Sequence, residues 1–219
     1  MIKEQSFFTL GSGWLSARGY GSSGSRPQFS KEAARFQYPE LRDYLLELPT
    51  RFGRFDTYSQ VTFATAVLAL ADAGLLQREG KKNIGIVVGS STGVYDNDLA
   101  YFASTGEAGG VFTSPNLFSY TLPNVALGEI AVFFNFIGPT FCVGNDPFRP
   151  GFDVMPVALS LLASGQCSTI LAGWVEVADQ NQGALPKGAA LTVLTLETNN
   201  KVKAECQFGP KFNFTTLFQ

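Results

Sequence analysis

The sequence predicts an α/β fold, one mixed sheet flanked by helices, on three observations. Residues 83–89 (NIGIVVG) form a near-continuous apolar run, the pattern of a strand buried on both faces. Residues 51–75 carry Phe63, Ala66, Val67, Leu70 and Ala73 at helical spacing, a long apolar stripe with small members that permit close packing. Residues 138–176 read as strand, sharp turn, helix, strand. Strands that alternate with helices in this way build layered α/β sheets.

Taken in order, residues 7–17 read as a first strand or a hairpin around Gly11 and Gly13, and 19–26 (GYGSSGSR) as a loop by composition. Residues 41–48 suggest a short amphipathic helix stopped by Pro49. Asp56, Thr57 and Ser59 are all candidate caps for the long helix, and Gly74 ends it. After the apolar strand comes Ser90-Ser91-Thr92-Gly93, then a helix over 95–102. Its turn amides can bind an anion, or the turn is only a tight connection. Pro115 and Pro123 predict extended geometry, with Asn124 capping a helix whose apolar face spans 126–136. Thr140, Phe141, Cys142 and Val143 then form a short strand, and Val154, Val157, Ala158, Leu161 and Leu162 mark a helix that Gly165 closes. Residues 169–175 are a buried strand. Residues 189–196 and 201–208 look like a hairpin around Asn199-Asn200.

Composition narrows the function. Sixteen basic against 18 acidic residues leave a net charge of −2, with no electrostatic footprint for nucleic acid or an anionic membrane. No apolar run is long enough to span a bilayer, and the N-terminus lacks the apolar core of a secretion signal, so a cytoplasmic protein is expected. Three widely spaced cysteines argue against a disulfide framework or a zinc site. Histidine is absent, which removes the commonest general base, metal ligand and thiol partner. No metal or cofactor is expected. Twenty phenylalanines fit either an aromatic core or extra apolar surface kept for a partner.

Several motifs, in a shared order, resemble the N-terminal half of the β-ketoacyl synthases, members of the thiolase fold. Arg54-Phe55-Asp56, with Ala71-Asp72-Ala73-Gly74, resembles that family's first long helix. Residues 85–93 resemble its GVVVGSGTGG strand and turn, and 118–128 (FSYTLPNVALG) its approach to the active-site strand. Gly138-Pro139 matches its GP, Leu171-Ala172-Gly173 with Glu176 its LAGG-x-E, and 188–197 (GAALTVLTLE) its EGAGALVLE. The likeness is strongest over 50–198 and implies a single thiolase-like half domain over 1–219, with a mixed five-stranded sheet.

The departures are chemical. The family carries a cysteine about eight residues beyond the GP, opening the next helix. Here that count reaches Pro147, within a corner of Asn145, Asp146, Pro147 and Phe148. Proline has no amide hydrogen to hold a thioester oxygen. The family's two catalytic histidines belong to a C-terminal half with no counterpart in these residues. Condensation needs a thiolate and donors for the developing enolate, so no catalytic residue is assigned, and the chain by itself is not expected to catalyse it. Cys142, Cys167 and Cys206 read as structural, and Asp146 and Asp153 as a solvated turn.

By the same resemblance, two such halves normally pack through buried helices, and the strand at 140–144 pairs with its twin across a dimer. A lone half is then expected to leave an apolar face for a partner. The implied function is a non-catalytic, chain-length-factor-like subunit. Its expected partner is a full-length ketosynthase, or a second copy of itself, with acyl-carrier protein engaged indirectly, in a dissociated fatty-acid or polyketide pathway such as an aryl polyene one. The alternatives are a homodimeric acyl-binding or scaffolding protein and an enzyme with non-cysteine thioester chemistry. Interface or tunnel candidates are Phe112, Phe118, Leu122, Phe133, Phe134, Phe136, Thr140, Phe141, Cys142, Val143 and Phe148.

Overall fold

The computed structural model describes residues 5–25, 27–29, 35–111, 113–146, 148–149, 151–178, 187–197 and 204–208. In chain order the elements are β1 (Gln5–Ser16), β2 (Gly19–Ser22), β3 (Gln28–Phe29), α1 (Thr57–Asp72), β4 (Ile84–Ser90), α2 (Tyr95–Gly106), α3 (Pro115–Ser119), α4 (Asn124–Phe134), β5 (Thr140–Gly144), α5 (Val154–Ala163), β6 (Thr169–Glu176), β7 (Gly188–Thr195) and β8 (Ala204–Phe208). They make one mixed sheet in the order β3-β2-β1-β7-β6-β4-β5, with β8 paired to β1. β4, β5 and β6 run parallel, while β7 is antiparallel to both β6 and β1. The expected five-stranded sheet is its centre, β1-β7-β6-β4-β5, and three short strands extend it to eight among the described residues.

Several local expectations change. Residues 7–17 hold no hairpin: β1 runs through both glycines, with a register shift between Thr9 and Gly11. The glycines serve approach, not turning. A Cβ on Gly11 would sit 2.4 Å from the Ala73 nitrogen, and one on Gly13 2.6 Å from that of Ala69, so only glycine lets α1 lie directly on this strand. The Gly-Ser stretch after it contains β2, joined to β1 by backbone pairing that composition does not reveal. The segment at 41–48 makes only a 3₁₀ turn, Leu41–Asp43. The final hairpin does not form either: β8 pairs with Gln5–Thr9 of β1 and β7 with the other edge of β1. Asn199-Asn200 lies outside the described residues. Pro115 starts α3 behind a Ser114 cap, and Pro123 is helical (φ −57°, ψ −30°) at the head of α4, since proline's fixed φ suits a first helical turn.

α1 is buried almost all round. Asp56 is its cap, accepting from the Ser59 amide at 3.0 Å. Burial raises the Asp56 carboxyl above its ordinary range, and its bonds to Ser59 and Tyr58 pull it back. At the other end Gly74 (φ 65°) and Leu75 return their amides to Ala71 and Leu70, satisfying carbonyls the helix would leave orphaned. Asp56→Ala is expected to cost about 1 kcal/mol, read as a lower urea midpoint with unchanged slope.

The two faces of the sheet carry different cores. α1 and α4 pack on Ile86, Val88, Leu171, Val175, Leu191 and Val193. α5 covers Val87, Ile170, Ala172 and Leu194, the alternate positions of the same strands. Phe55, Phe63, Phe133, Phe134 and Phe136 form a connected ring cluster beside α1 and α4. The aromatic-core reading of the phenylalanine excess accounts for these rings, whereas Phe29, Phe102, Phe118, Phe141 and Phe148 are exposed. The expected bare apolar face is not on α5, whose outward positions are Pro156, Ser160 and Ala163. Exposed apolar side chains lie instead on α2 (Tyr95, Leu99, Phe102), α3 (Phe118) and β5 (Phe141).

Candidate functional site

The carboxyl ends of β4, β5 and β6 meet, because the three strands are parallel and adjacent. Glu176 ends β6 there with no exposed surface. Its carboxylate accepts from Thr92 Oγ1 (2.9 Å), Ser90 Oγ (3.4 Å), the Thr92 amide (3.4 Å) and, at short range, the Ser91 amide. Asn145, just beyond β5, donates Nδ2 to the same carboxylate at 3.4 Å and accepts the Gly151 amide through Oδ1 at 2.9 Å. One buried carboxyl group thus ties three strand ends together. The amides of the turn at 90–93 are taken by this side chain, so the turn serves as a connection inside the fold. In the sequence Glu176 stands out only as part of the LAGG-x-E resemblance. The available signal was a lone acid ending an apolar strand in a chain with a Ser-Ser-Thr turn.

The corner after β5 is saturated in the same way. The Asp146 amide donates to Asp153 Oδ2 and the Phe148 amide to Asp146 Oδ1, both at 2.8 Å. α5 does not begin until Val154, so its dipole opens beyond the corner. Asp146 and Asp153 are turn-forming acceptors, a more specific role than a solvated turn. The Arg149 guanidinium lies 3.3 Å from the Phe152 ring centre, and Phe148 projects into solvent. Pro147 lies outside the described residues, as does Phe112.

The three thiols share one electrostatic trend. Burial raises Cys142, Cys167 and Cys206 above the ordinary thiol value. Cys142 faces the Tyr58 hydroxyl at 3.9 Å, and Tyr58 is itself raised well above the usual phenol range, first by burial and then by Cys142. No group of three or more acidic, cysteine or histidine side chains is placed to hold a metal among the described residues. Among them, too, no helix is long and apolar enough to cross a membrane.

The interface candidates separate. Phe134 is fully buried, and Phe133 and Phe136 are nearly so; all three belong to the aromatic core. Phe118, Leu122 and Phe141 are exposed, and Thr140, Cys142 and Val143 are half-buried on β5, the edge strand. Of the exposed members, Phe118 lies on α3, Leu122 just after it, and Phe141 on β5. Packing neighbours, invisible in a linear pattern, decide which phenylalanine is which.

Residues 43–204 match the family described as Beta-ketoacyl synthase, N-terminal domain. The chain belongs to the β-ketoacyl synthase family. Solved ketosynthases share its fold: the ishigamide ketosynthase/chain length factor (TM-score 0.65, 18% identity, 88% of this chain and 59% of that one). A second is a type II polyketide synthase acyl-carrier protein in complex with its ketosynthase bound to the hexaketide (TM-score 0.65, 15% identity, 89% and 64%). A third is a beta-ketoacyl synthase from Burkholderia phymatum STM815 (TM-score 0.60, 19% identity, 89% and 60%). The present chain therefore spans 59–64% of the length of these structures. No curated protein sequence matches it.

Proposed function

We propose that this chain is a non-catalytic ketosynthase-like subunit, similar to a chain-length factor, that pairs with an active ketosynthase. The observation that carries the reading is the corner between β5 and α5. Where a ketosynthase needs a thiolate at a helix N-terminus and free amides, this corner has no cysteine, its Asp146 and Phe148 amides are taken by carboxylates, and α5 starts later. Beside it, β5 is an edge strand with one side unpaired among the described residues, a ready template for another chain. Exposed Phe141 on β5, with Phe118 and Leu122 at and after α3, supplies apolar surface that suits a dry interface or the far end of a partner's acyl tunnel. The setting is a dissociated fatty-acid or polyketide pathway, with acyl-carrier protein reached through the partner, in the cytoplasm.

Co-expression with a full-length ketosynthase and its acyl-carrier protein tests this. The expected result is a 1:1 pair that makes product, with Phe141→Ala shifting product toward longer chains while the pair persists, since a bulky ring at a tunnel end limits length by volume. A chain that never copurifies, yet turns over malonyl or acyl thioesters alone, would sink the proposal.

A further inference from the structure

Asp72 is the last residue of α1, the end at which the helix dipole disfavours an anion. Its carboxylate is occupied by donors from far upstream. It accepts the Ser12 amide (2.9 Å), the Gly24 amide (2.9 Å) and the Ser23 hydroxyl (2.5 Å). The loop that it holds is itself a closed turn: the Ser22 amide donates to Ser25 Oγ at 3.2 Å and the Ser25 amide to the Ser22 carbonyl at 3.3 Å. β2 and β3 are otherwise lightly tied. β2 pairs with only four residues of β1, Gly13–Ser16, β3 pairs with only two of β2, and the Ser23 amide adds one long bond to the Ser12 carbonyl (3.4 Å). Both short strands meet the half-buried Trp14 indole. A Cβ on Gly21 would come within 3.0 Å of Trp14 Nε1, and the Phe29 ring centre stands 6.1 Å from that of Trp14.

From this arrangement we infer that β2, the Ser22–Ser25 turn and β3 form a flap over Trp14, fastened by the charge of Asp72 and opened when that charge is removed or opposed. Three donors converge on one carboxylate, and hydrogen bonds to an ionised acceptor are about twice as strong as neutral ones. An amide in its place offers a single acceptor oxygen and turns its own N–H groups toward donors. Ser23 is exposed, so negative charge added there would face Asp72 at close range and open the flap in the same way. Opening bares the Trp14 ring and the Gly13–Ser16 edge of β1, a pairing edge that the closed flap covers. The device involves neither β5 nor the corner after it, and it does not rest on the ketosynthase pairing.

Amide exchange followed by NMR tests it, together with fluorescence of Trp14 in a Trp174→Phe background, where it is the sole tryptophan. In Asp72→Asn the Ser12 and Gly24 amides are expected to exchange about tenfold faster or more and the Trp14 emission to shift to the red, while Ile86 and Val88 of β4 keep their rates. Ser23→Asp is expected to do the same. The two changes together are expected to recover closure, because the asparagine amide then donates to the new carboxylate. Wild-type exchange and emission in Asp72→Asn, or a double variant more open than either single one, overturns the inference. Equal acceleration in β4 overturns it too, since Asp72 would then support the whole fold and not the flap. Should Asp72→Asn fail to fold, Ser23→Asp decides alone, and a closed flap in that variant is fatal.

Discussion

Glu176→Ala is expected to destabilise the chain by about 3 kcal/mol or more, because several buried donors lose their shared acceptor at once. The carboxylate is fully buried and is the shared acceptor for Ser90, Ser91, Thr92 and Asn145. Alanine leaves those donors facing a void, and a buried donor without a partner costs about 1–3 kcal/mol by itself. Glu176→Gln keeps the volume but turns an amide NH₂ toward groups that are already donors, so its loss should fall between wild type and alanine. Equilibrium unfolding in urea ranks the three. Gln as stable as wild type would show that shape, and not the acceptor capacity of the carboxylate, holds the three strand ends.

Phe134→Ala is expected to be equally costly, about 3–5 kcal/mol, for a different reason: it empties a ring-sized space in a packed core. Phe134 contacts Phe63, Phe133 and Phe136 with ring centres 4.9–6.1 Å apart, so the surrounding rings cannot collapse without leaving their own partners. Exposed Phe141, changed in the same way, should alter stability by no more than about 0.5 kcal/mol. Thermal unfolding of the two variants side by side decides it. Equal melting temperatures would place Phe134 outside the core.

How much of this was legible in the sequence depends on what carried each element. The strand at 83–89 and the helices at 57–72 and 154–163 were readable because side-chain pattern alone marks burial. β2 was not, since Gly19–Ser22 is held by backbone pairing to β1 and its composition argues for a loop. The partner of β8 was hidden for the reason that adjacency in sequence favours a hairpin, while the open edge of β1 offered a longer register. At the site, the missing nucleophile was plain from the count beyond Pro139. The Glu176 network was not, because its donors lie 84–86 residues upstream and 31 residues upstream, where no local pattern connects them. Phe134 and Phe141 looked alike in one dimension, and only their neighbours separate them.

The pairing of β1 with β7 has a consequence for biosynthesis. Phe8 aligns with Thr195 and Ser16 with Gly188, so on the ribosome β1 must wait for the distant β7 to emerge before its main partner is available. Until then it has only the small β2 ribbon, and its remaining edge is open to association with other nascent chains. Translation that stalls before residue 188 would release a fragment with this strand unmatched, a substrate for chaperones and proteases.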